Sequence, residues 1–498
     1  MPCPYDNRRT RRSYLVAVAA VLLLSGCTVG PDYVRPSAPS APAYKDMEGW
    51  KPAQPQDEAL RGAWWEIYGD AELSALEVRA IDANQNLLLA EAQFRQARAM
   101  VWSARSAYYP SAAIGVSFSR SRQSENLFGN LGGSGGKVND YAMPLSVAWE
   151  PDVWGRIRRS VESSTANAQA SAADVAATRL SLSGELAADY FQLRALDAQR
   201  QLLDENTAAF ERSLTLTQSR YENGVASRVD VAQAQTQLES TRAQAIDLGV
   251  QRAQLEDAIA VLVGTPASSF GIEEAPLAET PPQVPVGLPS ELLERRPDVA
   301  SAERLAASAN AQIGIAVSAY YPTITLSASG GFESSDLSKW LVWPSRFWSV
   351  GPSVSETIFD GGFRSAQTAQ ARAAFDASVA TYRQSVLAAF QEVEDNLAAL
   401  RILEQESSVQ DAAVSAALDS VRLTTNRYKE GTVSYLDVVV TQTAALDNER
   451  VAVDLRGRRM VASVRLIQAL GGGWDASDLP SAKQLRASDS GNVVKRSD

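Results

Sequence analysis

Two aspartates, Asp230 and Asp437, hold the same position in two copies of one motif. Ser219–Leu238 reads SRYENGVASRVDVAQAQTQL, and Asn426–Leu446 reads NRYKEGTVSYLDVVVTQTAAL. Arg220-Tyr221, Gly224, Ser227, Asp230-Val231 and Gln235-Thr236 reappear 207 positions later as Arg427-Tyr428, Gly431, Ser434, Asp437-Val438 and Gln442-Thr443, which marks a tandem duplication. Each copy reads as a helical hairpin. A periodic segment ends at Arg-Tyr, Gly supplies the turn, Ser caps the next helix, and Asp stands in its first turn. A carboxylate placed there has two uses. It complements the positive end of the helix dipole. Beside a symmetry axis it also becomes one member of a ring that favours cations and responds to pH and divalent ions. The sequence leaves both uses open.

Other chemistries are disfavoured by composition. The 498 residues contain no histidine, which removes His-based triads and His-ligated metals and weakens any case for an enzyme. The one Gly-x-Ser-x-Gly match, Gly132-Gly133-Ser134-Gly135-Gly136, falls in a glycine-rich loop rather than at a strand-to-helix elbow, so it makes no case for a hydrolase. Cys3 and Cys27 are the only cysteines, too few for a disulfide framework or a metal cluster, and neither cofactor nor metal is expected. A net charge of −11 argues against nucleic acid as a partner.

Cys27 carries a different signal. Arg8, Arg9, Arg11 and Arg12 precede the short apolar run Tyr14–Leu24, and Leu24-Ser25-Gly26-Cys27 resembles a bacterial lipobox. Residues 1–26 then read as a signal peptide whose cleavage leaves Cys27 lipidated. Thr28, rather than Asp, follows it, which in the lipoprotein pattern implies sorting to the outer membrane. Thr10–Leu15 (TRRSYL) also resembles a twin-arginine signal, so both export routes stay open. Losing 1–26, with four Arg and Asp6, takes the net charge from −11 to −14.

The hairpins need long supports. Residues 156–223 contain no Pro and one Gly, with Val175, Leu182, Leu196, Leu203 and Phe210 on multiples of seven and Asp189 as the polar exception. Residues 363–430 repeat the Pro-free stretch. At ~1.5 Å per residue such a helix is roughly 100 Å long, far more than one globular domain needs. Upstream, Leu73, Leu76, Ala80, Leu87 and Ala90 predict one helix running to the AYYP at 107–110, and 298–318 predicts its counterpart before the AYYP at 319–322. Between each AYYP and each long helix the period becomes two, which predicts β-hairpins at about 111–150 and 322–359. Residues 27–62, rich in Pro, Ala and Ser, read as an extended segment over the body. Residues 265–297 form a Pro-rich linker between repeats 63–264 and 298–474, and 475–498 a disordered tail.

No stretch after residue 26 reaches the ~18 apolar residues of a membrane helix. The strands each have one apolar face, and Phe128, Tyr141, Trp149, Trp340, Trp343, Phe347 and Trp348 lie at their ends or loops, as a bilayer interface favours. Four strands cannot close a barrel, and a bilayer tolerates no open edge. Several chains must share one barrel, and three would supply twelve strands. The competing reading is a lipid-anchored periplasmic coiled-coil scaffold without a pore, which has no need of an apolar strand face.

Several motifs resemble the TolC-type outer-membrane efflux proteins, in their OprM- and NodT-like lipoprotein branch. They are Cys27-Thr28-Val29-Gly30-Pro31-Asp32-Tyr33 with Pro36, Trp64-Trp65, Leu288-Pro289-Ser290-Glu291-Leu292-Leu293-Glu294-Arg295-Arg296-Pro297-Asp298-Val299 with Ala302-Glu303, both AYYP segments and both hairpins. The resemblance implies a mixed α and β fold of two tandem repeats, with a long antiparallel helical coiled-coil barrel joined to a transmembrane β-barrel of four strands per protomer. It implies a homotrimer in the outer membrane of a Gram-negative bacterium, held in lipid and anchored at Cys27. A periplasmic membrane-fusion adaptor and an inner-membrane pump, of the resistance-nodulation-division type, would be its partners. The implied function is a passive conduit for drugs or other toxic compounds, with a protein-secretion duct of the same architecture as the alternative. By the same resemblance Asp230, Asp437 and Tyr428 match gate residues, and the hairpins around Gly224, Val225, Ser227, Gly431, Thr432 and Ser434 meet the adaptor. Val433 and Val440 stand where TolC itself has an arginine and a second carboxylate. Arg220, Arg228 and Arg427 are therefore candidates for a substitute pairing.

Overall fold

The computed structural model of the chain describes residues 28–39, 45, 62–122, 137–277, 280–282 and 295–487. Cys27, the preceding signal segment, Phe128 and the motif residues 288–294 lie outside them. A 3-10 turn, Trp64–Tyr68, ends at Gly69. Asp70 then caps α1 (Ala71–Ala83), its side chain accepting from the backbone N–H groups of Glu72 and Leu73. The expected unbroken helix stops at Asn84. With φ −67° and ψ 125°, Asn84 leaves the helical region, and its side chain accepts from Asn86 N and Leu87 N to start α2 (Gln85–Ser106). A cap of this kind does not disturb the apolar period, so the period alone could not reveal it.

The strands β1 (Ser111–Ile114) and β2 (Ser117–Arg122) both pair with β3 (Lys137–Trp149) in one continuous antiparallel register. They are one strand position interrupted at Gly115-Val116. Gly115 N donates to Pro144 O at 2.9 Å, but Pro144 has no N–H to return. α3 (Arg156–Glu222) and α4 (Arg228–Leu262) form the first long hairpin. α5 (Pro297–Ser318), β4 (Thr323–Ser334), β5 (Arg346–Ser355), α6 (Phe363–Lys429) and α7 (Tyr435–Ala469) repeat the order. Corresponding helices match in length: α2 and α5 have 22 residues, α3 and α6 have 67, and α4 and α7 have 35. The sheet runs β1/β2–β3–β4–β5, all antiparallel, so the two copies' hairpins join through β3 and β4.

Near the sheet the helices pack side by side as α2, α3, α5, α6. Toward the hairpin turns α4 and α7 take the places of α2 and α5. The two joints are equivalent. Asn84 Nδ2 donates to Leu262 O at 2.9 Å, and Arg296 Nη1 donates to Ala469 O at 3.2 Å. At each joint a left-handed glycine abuts backbone. A Cβ on Gly264 would lie 2.6 Å from Ala83 O, and one on Gly471 would lie 2.0 Å from Arg295 O.

The main core gathers Trp64, Leu73, Leu186, Tyr190, Leu397 and Ile467 at this level. Of the heptad positions, Leu182, Leu203 and Phe210 are buried. Asp189 is half-buried, and burial with the nearby Glu185 pushes its carboxyl up to about 6. The tail requires a correction. Residues 475–487 are ordered, with α8 (Ala482–Arg486) capped by Ser481 and docked through Leu485 on Val101 and Ala168. Leu485 is its buried side chain, and Arg98 and Arg105 donate to the carbonyls of Ala487 and Arg486. Among the described residues no helix is long and apolar enough to cross a membrane.

Candidate functional site: the hairpin tips, the ion-paired collar and the two-faced sheet

Both tips are built alike. Gly224 and Gly431 have φ of +73° and +79°. Val225 N donates to Arg220 O and Thr432 N to Arg427 O, closing each turn as a Schellman motif. Ser227 and Ser434 then cap α4 and α7 with reciprocal capping boxes. Ser227 N and Oγ donate to Asp230 Oδ2 at 2.8 and 2.9 Å, and Ser434 N and Oγ donate to Asp437 Oδ2 at 3.0 and 2.7 Å. The capping use of the two carboxylates is thus realised in the chain itself. The Ser434 hydroxyl and backbone, with Arg427 nearby, hold the Asp437 carboxyl below its ordinary range.

Tyr428 is buried rather than presented at the surface, and its hydroxyl has no hydrogen-bond partner among the described residues. Tyr435 packs edge-on against it at 5.3 Å, and the Arg220 guanidinium lies 4.7 Å from its ring centroid. Arg220 Nη1 also donates to Lys429 O at 3.1 Å. Arg220, rather than Arg228, therefore ties the two hairpins together, while Arg228 is exposed at the first turn of α4. Val433 packs beside this cluster and Val440 is exposed. Tyr435, whose hydroxyl lies 3.0 Å from Ser213 Oγ, is a site residue that the sequence reading does not single out. The signal available was an aromatic replacing Arg228 at the repeat-equivalent position.

Above the tips, a collar of ion pairs fixes the helix stack. Arg296 grips Asp298 through two bonds of 3.0 and 2.7 Å and donates to Glu392 at 2.6 Å. The RRPDV motif thus joins the start of α5 to α6 and α7, with Pro297 at the first helical position. Arg194 binds Asp197 at 3.0 Å, Glu72 and Glu273 O, and lies over the Tyr190 ring. Arg252 completes the set on Asp197 at 2.7 Å and Ile272 O at 2.7 Å. The segment 28–39 is tied to the outside of the helices. Arg159 holds Asp32 at 2.8 Å, Asn310 donates to Pro31 O at 3.0 Å, and Tyr33 donates to Glu303 at 2.5 Å.

The sheet has two unlike faces. The register puts Leu145, Val147, Val350 and Trp348 on one face, with Val350 69% and Trp348 77% exposed. Ser146, Ser329 and Ser349 form a row across the other, beside Ser327 and Ser353. Aromatics gather at one end, where Phe118, Tyr141 and Trp340 pack in sequence at 4.7 and 6.1 Å. At the helical end Trp154 stacks on Tyr321 at 4.8 Å, and its Nε1 donates to Pro322 O at 2.8 Å.

A sheet with an exposed apolar face, continuous with helices of roughly 100 Å, defines a protein that spans two environments. Residues 76–265 and 288–472 match the family of outer membrane efflux proteins, and the chain belongs to that family. It is 31% identical over 470 residues to the toluene efflux pump outer membrane protein TtgC of Pseudomonas putida, covering 93% of this chain and 96% of that one. The solved outer-membrane channel OprN superposes with a TM-score of 0.82 at 30% identity, covering 90% of this chain and all of that one. CusC, solved in a study of folding and transmembrane channel formation, superposes with a TM-score of 0.79 at 27% identity over 90% of this chain and all of that one.

Proposed function

We propose that the chain is the outer-membrane channel component of a tripartite efflux system, working as a homotrimer. The observation that carries this reading is the sheet. Its apolar face is exposed, and its two edges, β1/β2 and β5, have no partner strand among the described residues. A bilayer accepts such strands only in a closed barrel, and pairing β5 of one copy with β1/β2 of the next closes it with twelve strands. The serine-rich face then lines a wet lumen and the apolar face meets lipid. The helices extend the conduit through the periplasm, and the tips face a periplasmic adaptor and, beyond it, an inner-membrane pump, which we assign to the resistance-nodulation-division type. The likeness to a toluene efflux component supports small toxic molecules as cargo. Transport by a passive conduit asks for no bond-making chemistry from these residues. We further assign residues 27–62 to a lipidated segment anchored at Cys27, 63–264 and 298–474 to the two repeats, and 265–297 to their linker.

Two experiments test the reading. Val350→Arg puts a charge on the lipid face and is expected to cost about 2–4 kcal/mol of barrel stability near the bilayer midplane. Ser349→Arg on the lumen face is expected to leave stability within about 1 kcal/mol and to change only conduction. Equal costs at both sites, measured by urea titration in liposomes, would remove the assignment of faces. At the tips, Asp230→Ala with Asp437→Ala is expected to reduce cation preference in planar bilayers, read as a shift of the reversal potential in a salt gradient. An unchanged potential would leave both residues as helix caps alone.

A further inference from the structure

The two repeats meet along one junction, and at the tips each has a second flank that meets no other element among the described residues. At the tip, the internal junction is Arg220 of the first hairpin laid over Tyr428 of the second, at 4.7 Å. Each hairpin carries both residue types, because Arg220-Tyr221 recurs as Arg427-Tyr428 on turns closed by the same backbone bonds. The first hairpin uses its Arg and leaves Tyr221 46% exposed. The second uses its Tyr, 6% exposed, and leaves Arg427 exposed. Repeats that follow one another head to tail around an axis present the unused half of each contact on opposite flanks.

We infer that Arg427 lies over Tyr221 of the neighbouring copy, forming the clamp that holds the ring of tips closed. The inference rests on the trimeric reading above. The carbonyl equivalent to that of Lys429 is that of Glu222, which accepts from Arg427 across the seam. The ring then alternates three internal and three inter-copy Arg-over-Tyr contacts. The two kinds are unequal. Tyr428 is backed edge-on by Tyr435 at 5.3 Å, whereas the position equivalent to Tyr435 is Arg228. A second cation beside Tyr221 repels Arg427 and removes the aromatic backing. The seams between copies are therefore the weaker joints, and the ring parts there first.

The test uses thiol pairs in the full-length, detergent-extracted protein, whose described residues contain no cysteine. Tyr221→Cys combined with Arg427→Cys, treated with a short bis-maleimide, is expected to give covalent dimers and trimers on a denaturing gel, and neither single variant should do so. Arg220→Cys with Tyr428→Cys is the control and should link within one chain without raising its mass. A trimeric mass and a working control without inter-copy products would overturn the clamp and leave the channel reading standing. A monomeric mass would overturn both. In planar bilayers, Tyr221→Ala is expected to raise closed-state conductance several-fold and Tyr221→Phe to leave it unchanged, since phenylalanine keeps the ring face. Arg228→Tyr, which copies the internal junction into the seam, is expected to lower it. Conductance indifferent to all three would also overturn the clamp.

Discussion

Replacing Arg194 by alanine is expected to lower the folding stability of the protein by about 3–5 kcal/mol, the cost of removing one partner from a buried ion pair. Arg194 is 2% exposed and Asp197 5% exposed, on adjacent turns of α3. The guanidinium joins Asp197, the α1 carboxylate of Glu72 and the backbone of Glu273, so three segments lose a common point at once. Alanine leaves Asp197 with Arg252 and the backbone N–H of Ala275, at 2.7 and 3.3 Å, and leaves Tyr190 without the cation over its ring. Arg194→Lys is expected to recover part of the loss, because an ammonium restores the charge but not the planar fork that reaches several acceptors. Guanidinium unfolding in detergent, followed by circular dichroism, measures both variants. A loss below about 1 kcal/mol for alanine would mean that helix packing alone holds the collar.

The second large effect is a pH dependence centred on Glu77. Both carboxyl oxygens are buried without a hydrogen-bond partner among the described residues. Burial pushes the group up to about 8, and the nearby Ser183 and Arg179 offset this only in part. The folded chain therefore keeps a proton that the unfolded chain, with an ordinary value of 4.5, gives up earlier. Stability from this group is fully present below about pH 4.5, falls as pH rises, and is gone above about pH 8. The slope is at most ~1.4 kcal/mol per pH unit. Glu77→Gln is expected to remove the slope. It should match the parent within about 1 kcal/mol at pH 4.5 and exceed it by on the order of 3–5 kcal/mol above pH 8. Unfolding midpoints taken from pH 4.5 to 9 separate the outcomes, and parallel curves for the two proteins would refute the assignment.

How much of this was legible in sequence depends on the range of the interaction. The duplication, the Pro-free helices and the hairpin turns are local patterns, and Gly224, Ser227 and their copies do in the structure what their types imply. The strand alternation was equally local and gave the sheet its two faces. What escaped depends on partners far along the chain. Arg194 meets Glu72 across 122 positions, and Asn84 meets Leu262 across 178. Neither period nor composition marks such a pair. The break at Asn84 hid inside an intact apolar pattern, the gap at Gly115-Val116 comes from Pro144 on the opposite strand, and α8 is held by Leu485 together with Arg98 and Arg105, which donate to its last carbonyls from far along the chain. The resemblance implies a gate role for Tyr428, and nothing local to it announces that it is buried. Its burial follows from Arg220 and Tyr435, which close over it from two other helices.

Four strands with open edges become a membrane channel by association of three chains. The mass of the detergent-extracted protein, from light scattering corrected for bound detergent, separates this association from an isolated chain. Three copies per particle are expected. A stable single copy would leave both sheet edges unpaired in a bilayer, and it would return the chain to the role of a lipid-anchored periplasmic scaffold.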